Sequence, residues 1–233
     1  MVDDSKSMAG VSHLALTSLA TLSGALNRLE VGELAVTSFS NHLELLHSFG
    51  TPFDDEAGAR VVETLSFRGE GSGLASALQG VMEVFERARE GNVGSRITGT
   101  VVQLCFVVSD ARLDSDNRTT LRHVIREMAE QHVLVVLLII DKGASSSEGV
   151  GGDGTSVSMK DQQQWSGKGL QDQDSIFNTK TVEFTSAGIV TKAYLDDFPF
   201  PYYVAVRHPE ALPGLLSDAL RQWFELVKAQ LDR

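Results

Sequence analysis

Asp3, Ser5 and Ser7 are the first residues of the chain whose types and spacing could do chemistry. They stand in the opening run Val2-Asp3-Asp4-Ser5-Lys6-Ser7-Met8. One carboxylate and two hydroxyls alternate, and in a short loop alternate residues can point to the same side. Three hard oxygen donors on one point suit Mg²⁺, which takes about six oxygens in near-octahedral geometry. A helix is expected directly afterwards, and its N-terminal dipole favours an anionic ligand at the same place. Ser and Asp are also preferred helix caps, so an N-cap is the competing reading of the same residues.

Other chemistries find less support. The six histidines (His13, His42, His47, His123, His132 and His208) show no metal-binding spacing such as His-Glu-x-x-His. Cys105, the single cysteine, sits inside an apolar run and reads as a core thiol; it leaves no internal disulfide and predicts an intracellular setting. The glycines of Arg68-Gly69-Glu70-Gly71-Ser72-Gly73 fit no nucleotide fingerprint and read as a tight turn. No Gly-x-x-x-x-Gly-Lys-[Ser/Thr] phosphate loop occurs, which argues against ATP hydrolysis. A haloacid dehalogenase type of phosphatase would need Asp-x-Asp, and here Ser5 follows Asp3 at that spacing. The net charge of −11 argues against direct nucleic-acid binding. No stretch reads as long and apolar enough to span a membrane.

The elements that must position these residues follow from periodicity. With 233 residues, 42% of them apolar, the chain can bury a substantial core as one domain, 1–233. A helix is expected from about Met8 to Leu29, with Leu19, Leu22, Leu26 and Leu29 on one face and Gly32 as its stop. Leu34 to Phe39 reads as a strand, with His42 to His47 as its antiparallel edge partner. Helices follow over Glu56 to Leu65 and Leu74 to Glu90. Val101 to Val108 and Val133 to Ile140 are continuous apolar runs of buried-strand length. Between them Leu121, Val124, Ile125 and Met128 mark another helix face. Lys142 to Asn178 is nearly empty of apolar residues and reads as a flexible insertion, Trp165 and Phe177 being its exceptions. Thr181 to Phe184, Ile189 to Leu195 and Tyr202 to Val206 return to order. A last helix is expected over Pro213 to Leu231, with Leu216, Leu220, Trp223 and Val227 inward.

Strands alternating with amphipathic helices predict an α/β fold: a doubly wound, mostly parallel sheet with helices on both faces. Ligands in such sheets bind at the carboxyl ends of the strands. Asp3, Ser72 and Asp110 all fall on connections of that kind. The strand expected to launch the Asp3 loop is missing from the sequence pattern, so the chain reads as an excised piece of a longer protein. The loop itself is expected at the sheet's edge and outside its core.

These three places together resemble the metal-ion-dependent adhesion site of von Willebrand factor A-type domains. Asp3, Ser5 and Ser7 match its Asp-x-Ser-x-Ser loop. Asp110, in Val107-Val108-Ser109-Asp110, matches its third-strand aspartate. Ser72 stands where the family has threonine. A narrower resemblance lies in Phe198-Pro199-Phe200-Pro201-Tyr202-Tyr203 and in Ala219-Leu220-Arg221-Gln222-Trp223-Phe224-Glu225-Leu226. These are similar to the C-terminal adhesion-site domain of the giant dynein-related AAA ATPases of ribosome assembly.

The resemblance implies a binding module and not an enzyme. Ser5, Ser7 and Ser72 would touch an Mg or Mn ion, while Asp3 and Asp110 would hold its waters. Such domains grip the ubiquitin-like domains of assembly factors on pre-60S particles, in the nucleolus and nucleoplasm. An acidic side chain of the partner completes the coordination. The alternative is a von Willebrand A-type scaffold that binds partners without metal.

Overall fold

A computed structural model describes residues 1–28, 32–71, 73–91, 103–113, 118–141, 175–185 and 188–218, with Arg221 and Glu225. Six strands form the main sheet, in the order β3 (Leu43–His47), β2 (Val36–Phe39), β1 (Val2–Asp3), β4 (Gln103–Ser109), β5 (Val133–Ile140) and β8 (Tyr203–Val206). All neighbours are parallel except β2 and β3.

Alternation along the buried strands sends side chains to both faces. Phe106, Val108, Val136, Leu138 and Ile140 face α1 (Ser12–Arg28) and α2 (Asp55–Thr64). Cys105, Val107, Val135, Leu137 and Ile139 face α3 (Leu74–Gly91) and α4 (Arg118–Glu130). Both faces are covered, which is why β4 and β5 read as unbroken apolar runs. The expected doubly wound, mostly parallel α/β architecture with helices on both faces is the one found. A separate hairpin, β6 (Lys180–Thr185) with β7 (Gly188–Ala193), stands outside the main sheet.

Several expectations need correction. The first strand is present: β1 is two residues long and lies between β2 and β4. The Met1 carbonyl accepts from Val108 N at 2.9 Å, which extends the pairing by one residue. Asp3 is therefore on a central strand and 1% exposed, not in an edge loop. The first helix opens as a tighter 3-10 segment, Lys6–Val11, before α1. The Lys6–Arg28 stretch is long and apolar enough to cross a membrane by length and composition, contrary to expectation. In this fold Ala15, Leu19, Leu22 and Leu26 of that stretch are buried against the sheet.

The last residues of the expected insertion are packed. Ser175 and Ile176 are buried, and Phe177 lies under the Arg207 guanidinium, 5.0 Å from carbon to ring centroid. Asp141, at the end of β5, accepts from Ser175 Oγ at 2.7 Å and from Ile176 N at 3.2 Å, and pairs with Arg207 Nε at 3.3 Å. The rest of that stretch, 142–174 with Trp165, lies outside the described residues, as do Leu29, Leu220, Trp223, Phe224 and Val227. Residues 212–218 are helical, with Leu212 and Leu216 in the core.

Candidate metal centre

The carboxyl ends of β1 and β4 bring Asp3, Ser109 and Asp110 together. Val2 pairs with Val108, so both strands end at the same height. Asp3 Oδ1 accepts from Ser5 N at 3.0 Å, and its Oδ2 accepts from Ser109 Oγ at 2.6 Å. The first contact closes an Asx-type turn that carries the chain from strand into loop. Ser5 occupies the N-cap position of the 3-10 segment, yet its hydroxyl caps nothing. It lies 3.0 Å from Ser7 Oγ instead. The competing cap reading thus fails for Ser5, and the two hydroxyls are neighbours.

The second loop runs beside the first. Lys6 N donates to Gly69 O at 2.9 Å, and Gly69 N donates to Asp4 O at 3.0 Å. Asp4 faces away from Asp3: its carboxylate accepts from Ser66 Oγ and Phe67 N and fixes the turn before Gly69. Glycine is required at Gly69 because a Cβ there would run into the Ser40 Cβ at the β2–β3 turn. Gly71 has φ +74°, in the left-handed region, and its Cβ would strike the Asn41 amide. Ser72 lies outside the described residues, and Glu70 beside it is exposed.

Asp110 is 8% exposed. Its Oδ1 accepts from Arg112 N at 3.2 Å, and its Oδ2 lies 3.8 Å from Arg112 Nε. Between them Ala111 has φ 57°, which costs a non-glycine residue about 1–2 kcal/mol. Something must hold it there. Ala111 N donates to Ser109 Oγ at 3.1 Å, and the Tyr194 hydroxyl donates to Ala111 O at 2.9 Å.

Two buried carboxylates lie close together at this site. Burial pushes the Asp3 carboxyl above the usual carboxylate range, and the nearby Asp110 charge pushes it the same way. The Ser109 and Ser5 hydrogen bonds oppose this without cancelling it. Among the described residues no cation pairs with Asp3, and the exposed Arg112 alone pairs with Asp110. Buried carboxylates are ordinarily paired or coordinated to metal. Two carboxylates with two adjacent hydroxyls are hard oxygen donors, which fits Mg²⁺ or Mn²⁺ rather than a thiophilic ion.

The structure therefore brings Asp3, Ser5, Ser7 and Asp110 to the carboxyl ends of two central strands, β1 and β4. Sequence reasoning missed Ser109, Arg112 and Tyr194. Ser109 is adjacent to Asp110, but nothing local shows that its hydroxyl turns back onto Asp3. Tyr194 carried no signal, since its partners lie 81 and 83 positions away.

No protein-family model matches the chain. A midasin of Dictyostelium discoideum is 28% identical over 230 residues, 98% of this chain. A midasin of Giardia intestinalis is 28% identical over 231 residues, 97% of this chain. The chain spans only 3% and 4% of those relatives' lengths. Among solved structures, BatB from Bacteroides thetaiotaomicron aligns at TM-score 0.48 and 13% identity, over 94% of this chain and 96% of its own.

Proposed function

We propose that this midasin-like domain is a metal-dependent protein-binding module of a ribosome-assembly ATPase, gripping a partner through a shared divalent ion. The observation that carries the reading is the buried Asp3 carboxylate, which lacks a cationic partner among the described residues, lies near the Asp110 charge and hydrogen-bonds to Ser5, whose hydroxyl is 3.0 Å from that of Ser7. Asp3, Ser5, Ser7 and Asp110 would hold Mg²⁺ or Mn²⁺, with Ser72 in the adjoining loop as a further ligand.

When bound, the ion supplies a concentrated positive charge with incomplete coordination. The hydroxyls are neutral ligands, so they leave that charge poorly compensated. Asp3 is held by Ser5 N and Ser109 Oγ, so its carboxylate is fixed in direction. A carboxylate from outside then completes the coordination. On a chain of net charge −11 such a point is an address for an acidic side chain.

The partner is a ubiquitin-like domain of a ribosome-assembly factor on the pre-60S particle in the nucleus, with a Glu or Asp as its ligand. The domain binds and the ATPase elsewhere in the parent protein does the pulling; the domain itself is no enzyme.

Calorimetric titration of such a ubiquitin-like domain, with Mg²⁺ and then with excess chelator, tests the proposal. Binding should vanish with chelator and with the partner's carboxylate changed to its amide. Unchanged affinity in chelator would refute the shared ion and favour a metal-free scaffold.

A further inference from the structure

We infer that Tyr194 is a positioning residue for the candidate metal centre, holding the Asp110 loop in its binding geometry from behind. The inference rests on the metal reading above and extends it to a residue more than eighty positions from the motif.

The loop after β4 has few means of holding its own shape. Ala111 is in the left-handed region at φ 57°, and no side chain of its own keeps it there. Arg112 projects outward, its side chain 57% exposed. The Tyr194 hydroxyl supplies what the loop lacks. It donates to Ala111 O at 2.9 Å, accepts from Leu113 N at 2.7 Å and lies 3.3 Å from Leu113 O. One hydroxyl thus joins the residues on both sides of Arg112. Ala111 N in turn donates to Ser109 Oγ, the group that donates to Asp3. A polar chain runs from Tyr194 through Ala111 and Ser109 to the Asp3 carboxylate.

Tyr194 is itself fixed. Its ring is buried, with the Arg118 guanidinium carbon 4.4 Å from the ring centroid and Phe198 at 6.1 Å on a tilted plane. Arg118 is 9% exposed, and its Nε has no hydrogen-bond partner among the described residues, so the stack on Tyr194 is a principal contact. Tyr194 N donates to Thr179 O at 2.9 Å, which ties the residue to the base of the β6–β7 hairpin. The hydroxyl is therefore presented to the loop from a rigid seat. A seat of that kind orients a carboxylate, and loss of such outer contacts typically costs about 10–100-fold in metal affinity.

The test uses the full chain and Mn²⁺ alone, by calorimetry. Tyr194→Phe keeps the ring and the Arg118 stack but removes the hydroxyl. Mn²⁺ affinity should fall about 10-fold or more. Adding Ala111→Gly should restore most of it, because glycine takes the left-handed conformation without a clamp. Ile139→Val, a core change matched for lost thermal stability, should leave Mn²⁺ affinity unchanged. Affinity within twofold of wild type for Tyr194→Phe would overturn the inference. Failure of Ala111→Gly to rescue, or an equal loss in Ile139→Val, would also overturn it by showing general destabilisation. A wild-type chain that takes up no Mn²⁺ would instead refute the metal reading, and the inference with it.

Discussion

Replacing Asp3 by Asn separates what the carboxylate does for binding from what it does for stability. Asn keeps the shape and the Oδ1 acceptor for Ser5 N. It exchanges the short Ser109 contact, 2.6 Å to a carboxylate, for a neutral hydrogen bond. That exchange costs about 1 kcal/mol. Against it, the substitution removes a charge that is 1% exposed and sits near Asp110. The two effects oppose each other, so the metal-free variant should stay within about 1 kcal/mol of wild type, or about 4 °C in Tm. With Mg²⁺ at 100 times its Kd, wild type should gain about 2.7 kcal/mol. For a chain of this size that is a rise of about 5–10 °C. Asp3→Asn should show no such rise. The pH dependence carries a sign as well. The folded Asp3 pKa is raised, so its contribution to metal-free stability is present below the ordinary carboxylate pKa. It is lost as pH climbs through the raised value. Asp3→Asn should flatten that decline, and in Mg²⁺ the wild-type slope should reverse, because the ion favours the ionised form. Differential scanning fluorimetry across pH, with and without chelator, reads all of this. A Mg²⁺-dependent rise that survives in Asp3→Asn would refute the reasoning. So would a metal-free variant destabilised by more than about 3 kcal/mol, the loss expected if the carboxylate were a structural keystone.

Four further outcomes are expected. Asp110→Ala should abolish Mn²⁺ uptake in calorimetry, whereas Glu70→Ala, an exposed carboxylate, should leave it within twofold. Arg112→Gln removes the cation that pairs with Asp110 among the described residues, at 3.8 Å, and should tighten Mn²⁺ binding about threefold at low salt, the gain shrinking as salt rises. Gly69→Ala forces a Cβ onto Ser40 and should cost about 1–3 kcal/mol in urea unfolding. Leu138→Ala empties a fully buried site in β5 and should cost about 2–5 kcal/mol by the same measurement.

Periodicity made the scaffold legible. The run from Val133 to Ile140 is β5 to the residue, and Leu121, Val124, Ile125 and Met128 are all buried on α4. The antiparallel edge, β3, was also expected and is found, although its burial does not alternate. β1 was not, because a strand of two residues has no period; its conformation is imposed by β2 and β4 on either side. For the same reason Asp3 looked like a loop residue when it is among the most buried polar groups of the described residues. Asp3, Ser5, Ser7 and Asp110 were legible because their types alternate or close a strand. The groups that hold Asp3 and the loop after β4, Ser109 and Tyr194, act across long sequence separations, and no local pattern records such a contact.

The two-residue β1 also bears on the order of folding. It has no hairpin partner: its neighbour on one side begins at Val36, and its partner on the other, Val108, is 106 residues away. Contacts of such separation close large loops before they return any stabilisation, so they form late. A nascent chain emerges at about 5–20 residues per second, so about 2–20 seconds separate the synthesis of Asp3 from that of its two neighbouring strands. During that interval the Asp-x-Ser-x-Ser residues are free chain, and their carboxylate is solvated and ordinary. The site becomes electrostatically unusual only when β4 docks against β1, and the loop after it is clamped only once Tyr194 has followed. A chain halted before Tyr194 would carry the motif in full and still lack the geometry that gives it meaning.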